Sequence, residues 1–345
     1  MVGALRGWSL WAAISRSAKI GIISVAVAGV AVAVTGSSIG PVVSSGACTQ
    51  STANVPDGPD PWGGCFPGPS NTGVPAGTSL TTYGGPCTIT AANTTIDSKT
   101  INCDIVVTST AGGLLIKNSQ INGQVEQPDD GTTASQFTIQ DSTIDGTVHG
   151  TGTGHDGYAC TDCGVGYRNF TLLRDEIIHT NRGAYCEESC TVQDTYIHGQ
   201  TLWPDDPGHP HASAFRQEHY SNVQHNSLAC DYNGPFTEDL GCSADQTGYP
   251  DFTYIWHNTF NHNLFVEGNL SESWCAYGGA TAGKPYSSDS RNATYQVYTN
   301  NVFQRGANGI CGADGGPIAD FVLARTGNVW SGNVWDDGAT VPVGE

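Results

Sequence analysis

Between Thr201 and Asn226 the segment TLWPDDPGHPHASAFRQEHYSNVQHN gathers Asp205, Asp206, His209, His211, Arg216, Glu218 and His219. Three chemistries could use such a set. Glycoside hydrolysis needs two carboxylates flanking the scissile bond, ~5–10 Å apart depending on stereochemistry. Asp205, Asp206, Glu187, Glu188, Glu218 and Glu267 are the candidates. Elimination from a uronate needs a base for the proton beside the carboxyl and a cation to neutralise that carboxyl. His211 or His219 would be the base, and Arg216 or a Ca²⁺ held by Asp205 and Asp206 the neutraliser. A metal centre on His209, His211 and a carboxylate lacks a convergent third ligand at a recognisable spacing, so no metal site is assigned. The expected catalytic set is therefore His211, Glu218, Arg216, Asp205 and Asp206. Trp203, Tyr220, His219, Glu187, His179 and His198 are the expected substrate contacts, the aromatic rings offering broad apolar faces with a polar edge.

What positions these residues is a repeat. From Ile96 onward an apolar residue is followed two positions later by a polar one and five positions later by a second apolar one. The matches are Ile96…Ile101, Ile116…Ile121, Ile139…Ile144, Leu173…Ile178, Val192…Ile197, Val223…Leu228, Ile255…Phe260, Tyr298…Phe303 and Trp330…Trp335. Their third positions are Ser98, Asn118, Asp141, Asp175, Asp194, His225, His257, Asn300 and Gly332. The shortest steps suit one coil of short strands, and the longer ones imply loops inserted into the same frame. No coil can bury enough apolar surface alone, so the coils must stack. The expected fold is all-β, a right-handed parallel β-helix of about nine coils with long loop insertions. Asn226, Asn258, Asn301 and Asn333 read as a polar ladder through the stack. His179 and His198 are expected one strand spacing apart. Trp330, Trp335 and the Cys48–Phe66 segment are expected to cap the two ends.

Composition agrees with β structure: of 345 residues 13% are charged and 45 are Gly. The formal net charge of −19 leaves no basic footprint for a nucleic acid. Residues 1–40 carry Arg6, Arg16 and Lys19 ahead of an apolar run from Ile20 to Val34, which reads as a secretory signal or a retained N-terminal anchor. Residues 41–80, rich in Pro and Gly, read as a linker and lead-in. Residues 81–340 are the solenoid. A monomer without a membrane span in its mature form is expected, secreted or held at the cell surface.

All twelve cysteines follow the leader, at 48, 65, 87, 103, 160, 163, 186, 190, 230, 242, 275 and 311. An even count in an exported chain reads as disulfides. Nearest-neighbour pairing gives Cys48–Cys65, Cys87–Cys103, Cys230–Cys242 and Cys275–Cys311. Cys160, Cys163, Cys186 and Cys190 are left open between two bridges and a zinc site.

The stretches FPGPSNTGVPAGT, TIDSKTINCD, CGVGYRNFT, CTVQDTYIHG, VQHNSLACD, CAYGGATAGKPY and GNVWSGNVWDDG resemble a group of secreted actinobacterial right-handed β-helix proteins. The similarity spans residues 66–338 and implies fold and export rather than a reaction. The wider fold includes pectate and alginate lyases and polygalacturonases. The expected function is binding or depolymerisation of an extracellular polysaccharide, with no cofactor other than Ca²⁺. The alternative is a non-catalytic structural or adhesive surface protein.

Overall fold

The computed structural model describes residues 47–127, 135–147, 163–201, 211–231, 241–247, 249–251, 253–267, 274–312 and 315–343. By its contacts the chain divides into Met1–Val42 and Val43–Glu345. The signal-like leader, Cys160, Trp203, Asp205, Asp206 and His209 lie outside the described residues.

The described chain is all-β, with a single 3-10 turn at Tyr249–Asp251. Ten short strands form one parallel sheet, taken strictly in chain order from Thr81–Thr82 to Val334–Trp335. A second sheet of fourteen strands curls into a half-barrel. Its two arms meet at the long strands Arg182–Gln193 and His211–Gln224, which turn a corner at Ser189 (φ 61°) and Tyr220 (φ 56°). This is the stacked, parallel architecture that the repeat demands, solenoid-like in its order.

Strand register turns the repeat into two core columns. Ile96, Ile116, Ile139, Leu172, Val192, Val223, Phe260, Tyr298 and Trp330 are successive partners. Ile101, Ile121, Ile144, Ile177, Ile197, Leu228, Phe265, Phe303 and Trp335 form the second column. Two matches of the sequence template are thus corrected. One coil begins at Leu172 rather than Leu173, and Phe260 opens a coil that Phe265 closes. The residue between the columns turns left-handed in each case: Ser98, Asn118, Asp141, Arg174, Asp194, His225, His262, Asn300 and Gly332. Arg174 and His262 therefore stand where Asp175 and His257 were expected.

One residue further on runs a continuous ladder of side-chain oxygens. The backbone N–H of Lys99 donates to Ser119, and in turn Ser119 to Ser142, Ser142 to Asp175, Asp175 to Thr195 and Thr195 to Asn226. Asn226 donates to Asn263, Asn263 to Asn301 and Asn301 to Asn333. Asn263, not Asn258, belongs to this row. Asn258 starts another, accepting from Ser221 N–H while its amide donates to Gln296. Burial pushes the Asp175 carboxyl well above its ordinary range, against two backbone N–H bonds that favour its charged form.

The Pro/Gly-rich lead-in is neither a free linker nor an end cap. It runs along the outer face of the ten-stranded sheet as a strap. At one end the Asn54 amide donates to Asp336 O (2.9 Å), and Gln304 donates to Asn54 O (2.8 Å). Phe66 is fully buried on Leu264 and Val302, with Val266 and Val334 beside them. Gly73 N–H donates to Arg174 O, and Val74 N–H to Thr143 Oγ1. Gly73 holds φ +74°, and a Cβ there would fall 2.5 Å from Thr143 Oγ1, so only glycine fits this approach. At the far end Thr81–Thr82 pairs with the Lys99–Ile101 strand. Trp335 does close the last coil: it is buried under a return of the chain that buries Val341, and Trp330 Nε1 donates to Val341 O.

The four nearest-neighbour disulfides are present. Cys186–Cys190 is a fifth, and Cys163 is also disulfide-bonded, which removes the thiolates a zinc site would need. Such bridges persist in oxidising compartments. No helix among the described residues is long and apolar enough to cross a membrane.

Candidate functional site on the outer face of the long strands

The register of the two long strands assembles a site. Tyr185 pairs with Arg216, Cys186 with Gln217, and Glu188 with His219, which sets Glu187 opposite Glu218. Strand alternation puts Tyr185, Glu187, Arg216 and Glu218 on one side. The Arg216 guanidinium lies 4.3 Å from the centre of the Tyr185 ring. Its Nε and Nη2 donate to Glu218 Oε1 at 3.2 and 3.1 Å, and the Tyr185 hydroxyl donates to the same oxygen at 3.3 Å. Glu218 Oε2 is buried and has no hydrogen-bond partner. Burial raises the Glu218 carboxyl to about 7, although the Arg216 charge and hydrogen bond pull it down. Glu187 is gripped by Arg168, Nε to Oε2 at 2.7 Å and Nη2 to Oε1 at 2.6 Å. Glu188–Ser189 are enclosed by the Cys186–Cys190 bridge, which anchors the corner carrying Glu187.

His219 lies at the rim. Its Nδ1 is 2.6 Å from Glu187 O, and Nε2 is 3.0 Å from Thr253 Oγ1. A carbonyl can only accept, so Nδ1 carries the proton and Nε2 accepts from the threonine hydroxyl. Burial lowers its proton affinity. Both ring nitrogens of His219 are thus bonded within the corner, which the ring steadies. Behind the site a second acid faces the core. Asp245 succeeds Phe215 in register. It accepts from the Tyr298 hydroxyl (2.6 Å) and the Gln217 amide (2.8 Å), and burial raises it well above the ordinary carboxylate range.

The sequence-predicted residues divide accordingly. Glu187, Arg216, Glu218, His219 and Tyr220 come together. His211 opens the same strand opposite Gly241, seven residues before Glu218, and so belongs to a different part of it. His179 and His198 directly follow two strands of the ten-stranded sheet, Glu176–Ile178 and Tyr196–Ile197. His179 Nδ1 is 2.8 Å from Asp145 Oδ1, whereas His198 Nε2 is 3.2 Å from Glu176 Oε1 and its ring stacks on Tyr196. The backbone bonds His179 N–H to Gly199 O and His198 N–H to Ile177 O set the two histidines one residue out of step, each with its own carboxylate.

Sequence reasoning missed Tyr185, Arg168 and Glu126. Glu126 lies on a strand that pairs with Cys163–Arg168, and burial, with the Asp104 charge adding to it, raises its carboxyl to about 7. Tyr185 and Glu187 alternate on one strand as Arg216 and Glu218 do on the next. That period of two was the available signal. Among the described residues no three His, Cys, Asp or Glu side chains converge as a metal site. Comparison with known proteins returns no match to a family model, a curated protein or a solved structure.

Proposed function

We propose that this chain is an exported right-handed parallel β-helix of about nine coils, akin to the secreted actinobacterial group, that hydrolyses glycosidic bonds in an extracellular polysaccharide. The observation that carries the reading is the pair Glu187 and Glu218. They occupy paired positions on neighbouring strands whose backbones run ~4.8 Å apart, near enough for the Glu187 charge to act on the Glu218 carboxyl. Retaining glycosidases separate their two carboxyls by ~5–5.5 Å. Glu218, raised by burial to about 7, would protonate the glycosidic oxygen as the bond breaks. Glu187, oriented by Arg168, would attack the anomeric carbon. Water would then attack the anomeric carbon and displace Glu187, with the Glu218 carboxylate taking a proton from that water. Elimination from a uronate is less well served, because the Arg216 guanidinium is engaged by Glu218 and His219 by Glu187 O and Thr253. A Ca²⁺ on Asp205 and Asp206 would have to supply that neutralising charge.

The test is product release from a panel of neutral and acidic polysaccharides, with and without calcium. Reducing ends without unsaturated uronate are expected. Glu218→Gln should lower their release by at least about 100-fold, the scale of general acid catalysis. Absence of product from every polymer would sink the hydrolase.

A non-catalytic binding or adhesive protein is the second reading, favoured by the 1% exposure of the Glu218 side chain. It requires wild type and Glu218→Gln to be retained equally by a polymer that neither one cuts.

A further inference from the structure

The corner that the long strands turn recurs along the stack. Successive coils place Asn169, Ser189, Tyr220, His257, Tyr295 and Gly327 there, all at positive φ. Backbone pairing through Glu188–His219, His219–Trp256 and Trp256–Thr294 keeps them in step. Gly, Asn, Asp and His are what a left-handed corner ordinarily takes, whereas a tyrosine is strained in it. Two tyrosines at φ 56°, one on each side of His257 in the row, need a reason.

Core packing is not that reason, because Tyr220 is 43% and Tyr295 39% exposed. The rings are instead stacked on one another. Tyr220 and His257 lie 5.3 Å apart at 16°, and His257 and Tyr295 lie 4.2 Å apart at 6°. Trp256 abuts Tyr220 and His257 edge-on, at 5.2 and 4.4 Å. Gly327 ends the row, and a Cβ there would fall 2.2 Å from the Tyr295 ring. The row begins next to His219. Trp256 and Tyr254 link it to that residue, with Tyr254 4.8 Å from the His219 ring.

We propose that Tyr220, His257 and Tyr295 form a ridge that binds a neutral polysaccharide laid along the stacking axis, leading away from Glu218. The proposal takes its substrate class from the hydrolase reading. Stacking consumes the ring faces, so solvent meets ring edges and tyrosine hydroxyls. Aromatic edges are electropositive and attract oxygen, and the hydroxyls donate and accept. A polyhydroxylated chain offers both partners at regular intervals. The rings recur once per strand spacing, close to the length of one pyranose in an extended chain. The net charge of −19 disfavours an anionic polymer, so the occupant is neutral.

The experiment is affinity electrophoresis of the mature protein in gels containing neutral polysaccharides, using wild type and a Tyr220→Asn, Tyr295→Asn double variant. Asparagine already occupies this corner at Asn169, so the substitution suits the backbone. Retention by at least one neutral polymer, weakened by about tenfold or more in the double variant, is expected. Should that variant not fold, Tyr220→Phe with Tyr295→Phe removes only the hydroxyls and should weaken retention about two- to fivefold. Equal retention of variant and wild type overturns the ridge, even if reducing ends are still released. Retention without any product, lost in the double variant, keeps the ridge and removes the hydrolase. No retention of wild type on any neutral polymer overturns the ridge outright.

Discussion

The two flanks of the stack obey the same repeat and put it to opposite uses. On the ten-stranded flank most polar groups are answered, Ser227 Oγ, Gln200 Nε2 and Asn54 Oδ1 being buried exceptions. The ladder from Ser119 to Asn333 satisfies the backbone, Phe66 covers the apolar outer residues, and Asp60 of the strap meets His225 at 3.1 Å. On the half-barrel flank the pairing is left incomplete. Glu218 Oε2 and Glu126 Oε2 are buried without partners, and two tyrosines, Tyr220 and Tyr295, occupy left-handed corners. An unpaired buried carboxyl costs stability. The contrast teaches that this fold could have satisfied those groups, since it does so one face away. Where a chain breaks its own rule without compensation, function is the first explanation to test.

The comparison can be broken by substitutions on each flank. Phe66→Ala should cost the most, about 3–5 kcal/mol, by emptying the seat on Leu264 and Val302. Chemical denaturation would measure it, and a loss below about 1 kcal/mol would show that the strap is decoration. Asn263→Ala should cost about 2–3 kcal/mol. It strands the Asn226 N–H and side-chain amide, which both donate to Asn263 Oδ1 at 2.9 Å.

A pH dependence follows from the clasp between strap and sheet. Burial alone would lower His225, but hydrogen bonds to Asp194 and Asp60 raise it to about 9. Its contribution is complete below ~6.5, the unfolded value, and is lost as pH rises through about 9. Burial would raise Asp60, but bonds from His225 and the Gly64 and Trp62 amides hold it below its ordinary value. Its share is present above that value and lost as pH falls through the lowered one. The denaturation midpoint of wild type should therefore decline between pH 7 and 10, by about 1–3 kcal/mol in stability. In His225→Gln the decline should be absent. A parallel decline in both proteins would locate the titrating group elsewhere.

The smallest effect is expected on the other flank. Glu218→Gln keeps an acceptor for Arg216 and removes a buried carboxyl, so its stability should stay within about 0.5 kcal/mol of wild type. A loss as large as that of Asn263→Ala would place Glu218 among the structural groups.

Much of this was legible in the residues. The apolar spacing that gives Ile96–Ile101 also gives Phe303 and Trp335, because each coil must refill the same two columns. The disulfides followed sequence proximity. Register failed where an equivalent residue stood nearby: Leu172 beside Leu173, His262 near His257 and Asn263 near Asn258. The long insertions remove the spacing that would have chosen between them. The strap was unreadable for a different reason. It bonds through isolated groups such as Asn54, Asp60 and Gly73, and isolated bonds leave no period. At the site, Glu218, Arg216 and Glu187 stood out by type, but Tyr185 and Arg168 join them only through a pairing that sequence does not display.

The strap also sets an order of events. Asn54 and Phe66 leave the ribosome, or cross a membrane, well ahead of Leu264, Val302 and Asp336, which receive them; Asn54 and Asp336 are 282 residues apart. A solenoid can in principle grow coil by coil behind the emerging chain. The strap keeps this chain from finishing that way. The strap must wait, with the Phe66 ring uncovered, until the strands that carry Leu264, Val302 and Val334 exist. Contacts of such long sequence separation slow folding. Seating of the strap is therefore a late step that needs the chain through Asp336.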